Sequence, residues 1–217
     1  MVKNRTARII FQTVYCTLGI VSSIACLNIF VDYTDINWDF YVYFTNLSNF
    51  LCLGIMLAEL VQTAKKKEDS FVTCCPMLKF IAMLGILLTF FVFNFLLAKD
   101  RDPILNFRIN SILFHGVLPV MFVADWVMFY EHRKVKWFYP IASMAFPFIY
   151  IVFVYVRAAV LGFDSENYFI YPYFFLDLDE KGVSGVAMWI GILLVSFVVL
   201  GYAVLGIDRL IKSSETK

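Results

Sequence analysis

Apolar residues in this chain run in long unbroken blocks instead of alternating with polar ones. Six blocks, at residues 9–31, 41–63, 76–98, 111–130, 137–156 and 183–207, match the roughly 20 residues that cross a hydrocarbon core about 30 Å thick. Lipid offers no hydrogen-bond partner to an open backbone, so a spanning segment is a helix or part of a closed barrel. Short alternating segments would signal a barrel, and continuous runs predict helices. The expected fold is all-α: a polytopic membrane protein with six transmembrane helices, forming one domain over residues 1–217. The connections are too short to hold a soluble domain.

Composition agrees. The chain is 61% hydrophobic and 16% charged, with mean hydropathy +0.78, whereas a soluble domain is about 25% charged. Lys3, Arg5 and Arg8 precede the first block as they would in a signal peptide. That block is longer than a signal core, and no clear small-residue cleavage site follows, so a retained helix is expected. The net charge of +1 gives no reason to expect a nucleic-acid partner. Its distribution is more informative. Thirteen of the 18 Lys and Arg residues fall at one set of block ends. The opposite ends carry only Lys99, Arg101, Arg108, Arg157 and Lys181. The positive-inside bias then places both termini in the cytoplasm.

The cysteines predict no disulfide framework. Cys16, Cys26 and Cys52 lie within blocks, and Cys74 and Cys75 sit at a cytoplasmic mouth, either palmitoylated or unmodified. There is no Cys-x-x-Cys, and His115 and His132 lie on opposite sides, so no metal and no cofactor is expected. A haem site is disfavoured because only one histidine is intramembrane. The loop over residues 157–182 holds Tyr168, Phe169, Tyr171, Pro172, Tyr173, Phe174 and Phe175. This is either an interfacial aromatic belt or a lid over a pocket.

A few polar residues interrupt the blocks. Thr45, Ser48, Asn49, Cys52 and Glu59 share one face of the second helix, which should therefore turn inward. A lone membrane threonine usually bonds the carbonyl one turn back. An asparagine amide needs more than one partner. In the fourth block His115 lies one turn from both Ser111 and Pro119. At 1.5 Å per residue, His115 and Thr45 each enter to about 6 Å from the same face. A histidine at membrane depth suggests a functional site, and one level with a hydroxyl suggests a base and its nucleophile. The competing reading is a core histidine bonded to a carbonyl or hydroxyl. Asp125 is too deep to orient His115 and is expected to pair with cytoplasmic lysines or across helices. Glu59 is expected to snorkel toward Lys65–Lys67. Asn49 and Asn94 are candidate oxyanion donors. Arg157 is an interfacial anchor or attracts a carboxylate head group, and Tyr171 and Tyr173 are candidate substrate contacts.

Several of these residues carry a family resemblance. The segments Tyr43-Phe44-Thr45-Asn46-Leu47-Ser48-Asn49, His115-Gly116-Val117-Leu118-Pro119 with Asp125-Trp126, Tyr139-Pro140, and Tyr171-Pro172-Tyr173-Phe174-Phe175-Leu176-Asp177 resemble the bacterial branch of the androgen-induced-gene family. Its mammalian members are threonine hydrolases of fatty acid esters of hydroxy fatty acids. The resemblance spans essentially the whole chain and departs most visibly from the mammalian enzymes in the Tyr-Pro-Tyr loop. It implies six helices with cytoplasmic termini, a multi-pass place in a bacterial plasma membrane, a lipid or fatty-acyl ester substrate, and Thr45 with His115 as the catalytic pair. The rival from another class is a small-molecule or proton-linked carrier using His115, Asp125 and Glu59 as a relay. Against it, no internal inverted repeat is evident.

Overall fold

The computed structural model describes residues 4–27, 38–65, 73, 75–99, 101–161 and 170–211. The expectations placed on Lys3, Lys66, Lys67, Cys74, Tyr168 and Phe169, and on the last residues of the first block, lie outside these. Six helices are long and apolar enough to cross a membrane: α1 Arg5–Ala25, α2 Phe44–Lys65, α3 Pro76–Leu97, α4 Ile109–Phe129, α5 Tyr139–Leu161 and α6 Leu178–Leu210. Among the described residues all regular structure is helical. One end of the bundle, here the basal end, joins the start of α1 to the end of α2 through Arg5, whose guanidinium donates to the carbonyls of Thr63 and Ala64. Thr45, at the start of α2, belongs to the opposite, mouth end.

The helices are less regular than the blocks suggest, and proline and glycine account for most of it. Pro147 has no N–H for the carbonyl of Ser143. The helix accordingly breaks between Tyr139–Ala142 and Ala145–Leu161, and Phe146 N–H takes the Ser143 carbonyl at 3.1 Å. Gly182, at φ 64° and ψ 171°, separates a first turn capped by Asp177 from the long remainder of α6. Lipid gives no hydrophobic drive for helix to meet helix, so small residues that permit close packing matter. A Cβ on Gly201 would sit 2.9 Å from the Pro140 side chain and 3.2 Å from its backbone. The core between the helices is built from Tyr15, Cys52, Met56, Phe80, Leu84, Phe122, Trp126 and Phe197.

Charges sit inside this core. Lys79, fully buried on α3, lies 2.7 Å from Glu59 on α2 and 2.5 Å from Asp125 on α4. Arg8 of α1 reaches Glu59 at 3.1 Å, and the Gln12 amide donates to Glu59 and Asp125 at 3.4 and 3.3 Å. Four helices thereby share one neutral cluster. The expectation that Glu59 snorkels to the lysine loop is overturned, since Glu59 has no exposed surface. Its partners, an arginine and a lysine, enter from neighbouring helices. For Asp125, the expected polar contact across helices is present.

A second buried cluster closes the basal end. His132 is buried, although its sequence neighbours are basic and polar. Its Nδ1 lies 3.1 Å from Asp208 Oδ1 on α6, and its Nε2 lies 3.2 Å from the Val127 carbonyl. Asp208 also accepts from the backbone N–H groups of Arg133 (3.0 Å) and Val135 (3.4 Å). Arg133 adopts a left-handed φ of 68°, which a non-glycine residue holds only when its surroundings impose it. Asp208→Ala should therefore cost about 3 kcal/mol, through loss of hydrogen bonds to a charged acceptor and exposure of their buried donors. Thermal unfolding in detergent checks this, and an unchanged melting temperature would show that the clamp adds nothing.

Candidate active site

The mouth end is organised by two widened turns that face each other. In α4, residues Leu113–Val117 form a π-helical turn. Pro119 supplies the reason. It lacks the N–H that would take the His115 carbonyl, and Leu118 N–H goes to Leu113, five residues back. The carbonyls of Phe114 and His115 thus lose their usual helical donors. Asn49 Nδ2 of α2 donates to Phe114 O at 3.2 Å, and Asn94 Nδ2 of α3 donates to His115 O at 3.1 Å. In α3, Phe93–Leu97 is also π-helical, beside an Asn94 amide that takes the Phe90 carbonyl one turn back at 2.8 Å. Turns of this kind recur at functional sites.

These bonds correct the role expected of the two asparagines. Asn49 gives its other hydrogen to the Thr45 carbonyl at 2.9 Å, so both of its hydrogens are engaged. Asn94 is committed in the same way. Neither retains an N–H for an oxyanion. Instead they fix the backbone at Thr45 and at His115.

His115 is held on three sides. Its ring stacks on Phe93 with centroids 3.5 Å apart and planes 15° apart. Nδ1 lies 2.9 Å from the Ser111 carbonyl and 3.3 Å from the Ser111 hydroxyl. A carbonyl only accepts, so Nδ1 carries the hydrogen, and the neutral ring has its lone pair on Nε2. This is the tautomer a general base at Nε2 requires. A bond to a carbonyl or hydroxyl is what the competing reading of His115 as a core histidine expected. Ser111, one turn away, supplies both and, among the described residues, leaves Nε2 unengaged.

Thr45 lies shallower in its helix than its depth in the hydrophobic block suggested. Residues Trp38–Val42 form a 3-10 turn and α2 begins at Phe44, so Thr45 occupies the first turn. Its N–H, unpaired within the helix, donates to the Tyr173 phenol at 3.4 Å. Burial raises the Tyr173 pKa, and its contacts with Thr45 pull it partway back. Tyr173 arrives because the aromatic loop folds inward: its ring stacks on Phe175 (5.0 Å, 7°), and Phe175 and Leu176 are buried. Of the two readings of that segment, residues 173–176 fit the lid.

Two cavities meet at Thr45. One, of about 470 Å³, is lined by Thr45, Tyr43, Asn46, Arg101, Arg108, Asn110, Ser111, His115 and Tyr173, with Phe93 and Leu97 among its apolar walls. The other is a narrow cleft of about 60 Å³, almost wholly apolar, bounded by Leu88, Val92, Ile151, Ile190 and Leu193 of α3, α5 and α6. Thr45, Phe93, Leu97 and Tyr173 belong to both. Among the described residues no hydrogen bond joins Thr45 to His115; they share a cavity wall.

Two other candidates stand elsewhere. Arg157 pairs with Asp39 at 2.9 Å and donates to the Ile170 carbonyl, tying the loop after α5 to the turn before α2. Tyr171 packs against Tyr155. Neither lines either of these two cavities. Arg101 and Arg108 do, and the sequence reading passed over them. The available signal was three cations within ten residues on the side that the positive-inside bias leaves poor in charge.

No family model, no curated protein and no solved structure matches this chain.

Proposed function

We propose that this chain is an intramembrane lipid-ester hydrolase in which Thr45 is the nucleophile and His115 the base. One observation carries the reading. A threonine at a helix start and a histidine with its lone pair on Nε2 share the wall of a polar cavity, and an apolar cleft opens at the same threonine. In the proposed reaction Thr45 Oγ1 attacks the ester carbonyl while His115 Nε2 takes its proton. The Tyr173 phenol faces the developing oxyanion, and the positive end of α2 adds to its stabilisation. Collapse breaks the ester C–O bond, and Nε2 returns the proton to the departing alcohol. Water, deprotonated by His115, then cleaves the acyl-threonine, releasing the acid and restoring the hydroxyl. The acyl chain reaches the site along the cleft, whose space of about 60 Å³ takes the carbons next to the ester while the rest of the chain stays in the membrane.

The charge placement supports a multi-pass arrangement with the basal end and both termini cytoplasmic, and the family resemblance implies a bacterial plasma membrane. In intact cells an impermeant thiol reagent should label Asp102→Cys and spare Lys66→Cys; the reverse pattern would invert the bundle.

A carrier has less support. Glu59 and Asp125, the carboxylates it would need, are closed off with Lys79 and Arg8 and line neither cavity. Purified protein in neutral detergent, given a panel of medium- and long-chain acyl esters, should release free acid. Absence of release from every ester, with protein that melts cooperatively, would remove the hydrolase reading.

A further inference from the structure

The larger cavity has a charge imbalance that the proposed chemistry leaves unused. Among the described residues its lining holds two guanidiniums, Arg101 and Arg108, and no Asp or Glu. Among the described residues neither arginine makes an ion pair. Elsewhere the fold pairs the cations it buries: Arg8 and Lys79 meet Glu59 and Asp125, and Arg157 meets Asp39. Arg101 and Arg108, by contrast, keep exposed surface at the mouth of the cavity. Two like charges facing one space repel each other, and an anion between them turns that repulsion into attraction, to a degree that salt reduces because both guanidiniums are exposed. The Arg101 pKa is lowered by partial burial and, to a smaller degree, by Arg108, while Tyr43 acts in the opposite sense.

Arg101 is also held in position. Its Nη1 donates to the Ser111 hydroxyl at 3.3 Å, and its guanidinium carbon lies 5.9 Å from the centre of the Phe93 ring. Ser111 and Phe93 are the two residues that hold His115. An anion on Arg101 is therefore fixed beside the proposed base, on the cavity side of Thr45. The fork of a guanidinium matches the paired oxygens of a carboxylate or a phosphate.

We propose that Arg101 and Arg108 form a subsite for an anionic oxygen head group, carboxylate or phosphate, carried by an amphiphile whose apolar part enters the adjoining cleft. The cleft favours an amphiphile over a free ion, because the two spaces share Thr45, Phe93, Leu97 and Tyr173. Placing the scissile ester between head group and tail rests on the hydrolase reading. Binding of the anion does not.

The test is binding to full-length Thr45→Ala protein in a maltoside detergent, so that turnover does not confuse the reading. Probes are laurate, dodecyl phosphate, dodecanol and inorganic phosphate, read by calorimetry at low and high salt. Laurate or dodecyl phosphate should bind, weaken with salt, and lose about tenfold or more with either Arg101→Gln or Arg108→Gln, the worth of one charged hydrogen bond. Arg101→Lys and Arg108→Lys should recover part of that loss. Dodecanol should bind at least tenfold more weakly than laurate, on the same argument. Equal binding of dodecanol, or wild-type affinity in the double glutamine variant with an unchanged melting temperature, overturns the subsite. Inorganic phosphate binding as tightly as dodecyl phosphate overturns the amphiphile and leaves a free anion. If these affinities behave as expected while wild-type protein hydrolyses no ester, the subsite stands and the hydrolase reading falls. If neutral esters are hydrolysed and the glutamine variants are indifferent, the reverse holds.

Discussion

Thr45→Ala should lower ester hydrolysis by at least about 10³-fold, the scale seen when a nucleophile is removed, with little change in melting temperature. The substitution removes a hydroxyl and a methyl from a first-turn position that is 8% exposed. The backbone contacts that hold this turn remain, since the Thr45 N–H still reaches Tyr173 and the Thr45 carbonyl still accepts from Asn49. Thr45→Ser keeps the hydroxyl and should retain measurable turnover. His115→Ala should fall about as far as Thr45→Ala, because members of one catalytic unit fail together. A free-acid assay on purified variants decides the matter. Undiminished hydrolysis by Thr45→Ala would remove Thr45 from the chemistry, whatever else the cavity binds.

Lys79→Met should be the most damaging single change to stability. It leaves Glu59 and Asp125, both without exposed surface, facing each other with only Arg8 and Gln12 between helices. Breaking a buried ion network by deleting one partner costs about 3–5 kcal/mol. The double variant Lys79→Met/Asp125→Asn removes one charge of each sign and keeps the Arg8–Glu59 pair, so it should recover most of that loss. Unfolding in mixed detergent reads both. A Lys79→Met protein as stable as wild type, or a double variant worse than the single, would show that the cluster is not a matched set.

Asn49 and Asn94 show how far the local sequence reached. Asn49 was legible as an inward amide in need of partners, and Asn94 only as a polar residue near a helix end. Their partners became evident only through Pro119, which strips two carbonyls of their donors on a different helix. Glu59 shows a related limit. Near a basic loop, snorkelling was the economical expectation, yet Arg8 and Lys79 reach it from α1 and α3. Asp208 was not singled out at all, since its three donors lie about 75 residues earlier.

The sequence by itself determined the helices and their number, because hydrocarbon imposes a fixed length and denies unpaired backbone any partner. It also marked Thr45 and His115 as polar residues in apolar surroundings. Which helices became neighbours was left to tertiary structure, and so was every property that depends on neighbours. These include the lone pair on His115 Nε2, the inward fold of Tyr173, the sealed cluster around Lys79, and the two guanidiniums that line one cavity. Hydropathy acts residue by residue along the chain, whereas hydrogen bonds and ion pairs form between side chains far apart in sequence, and only packing brings those together.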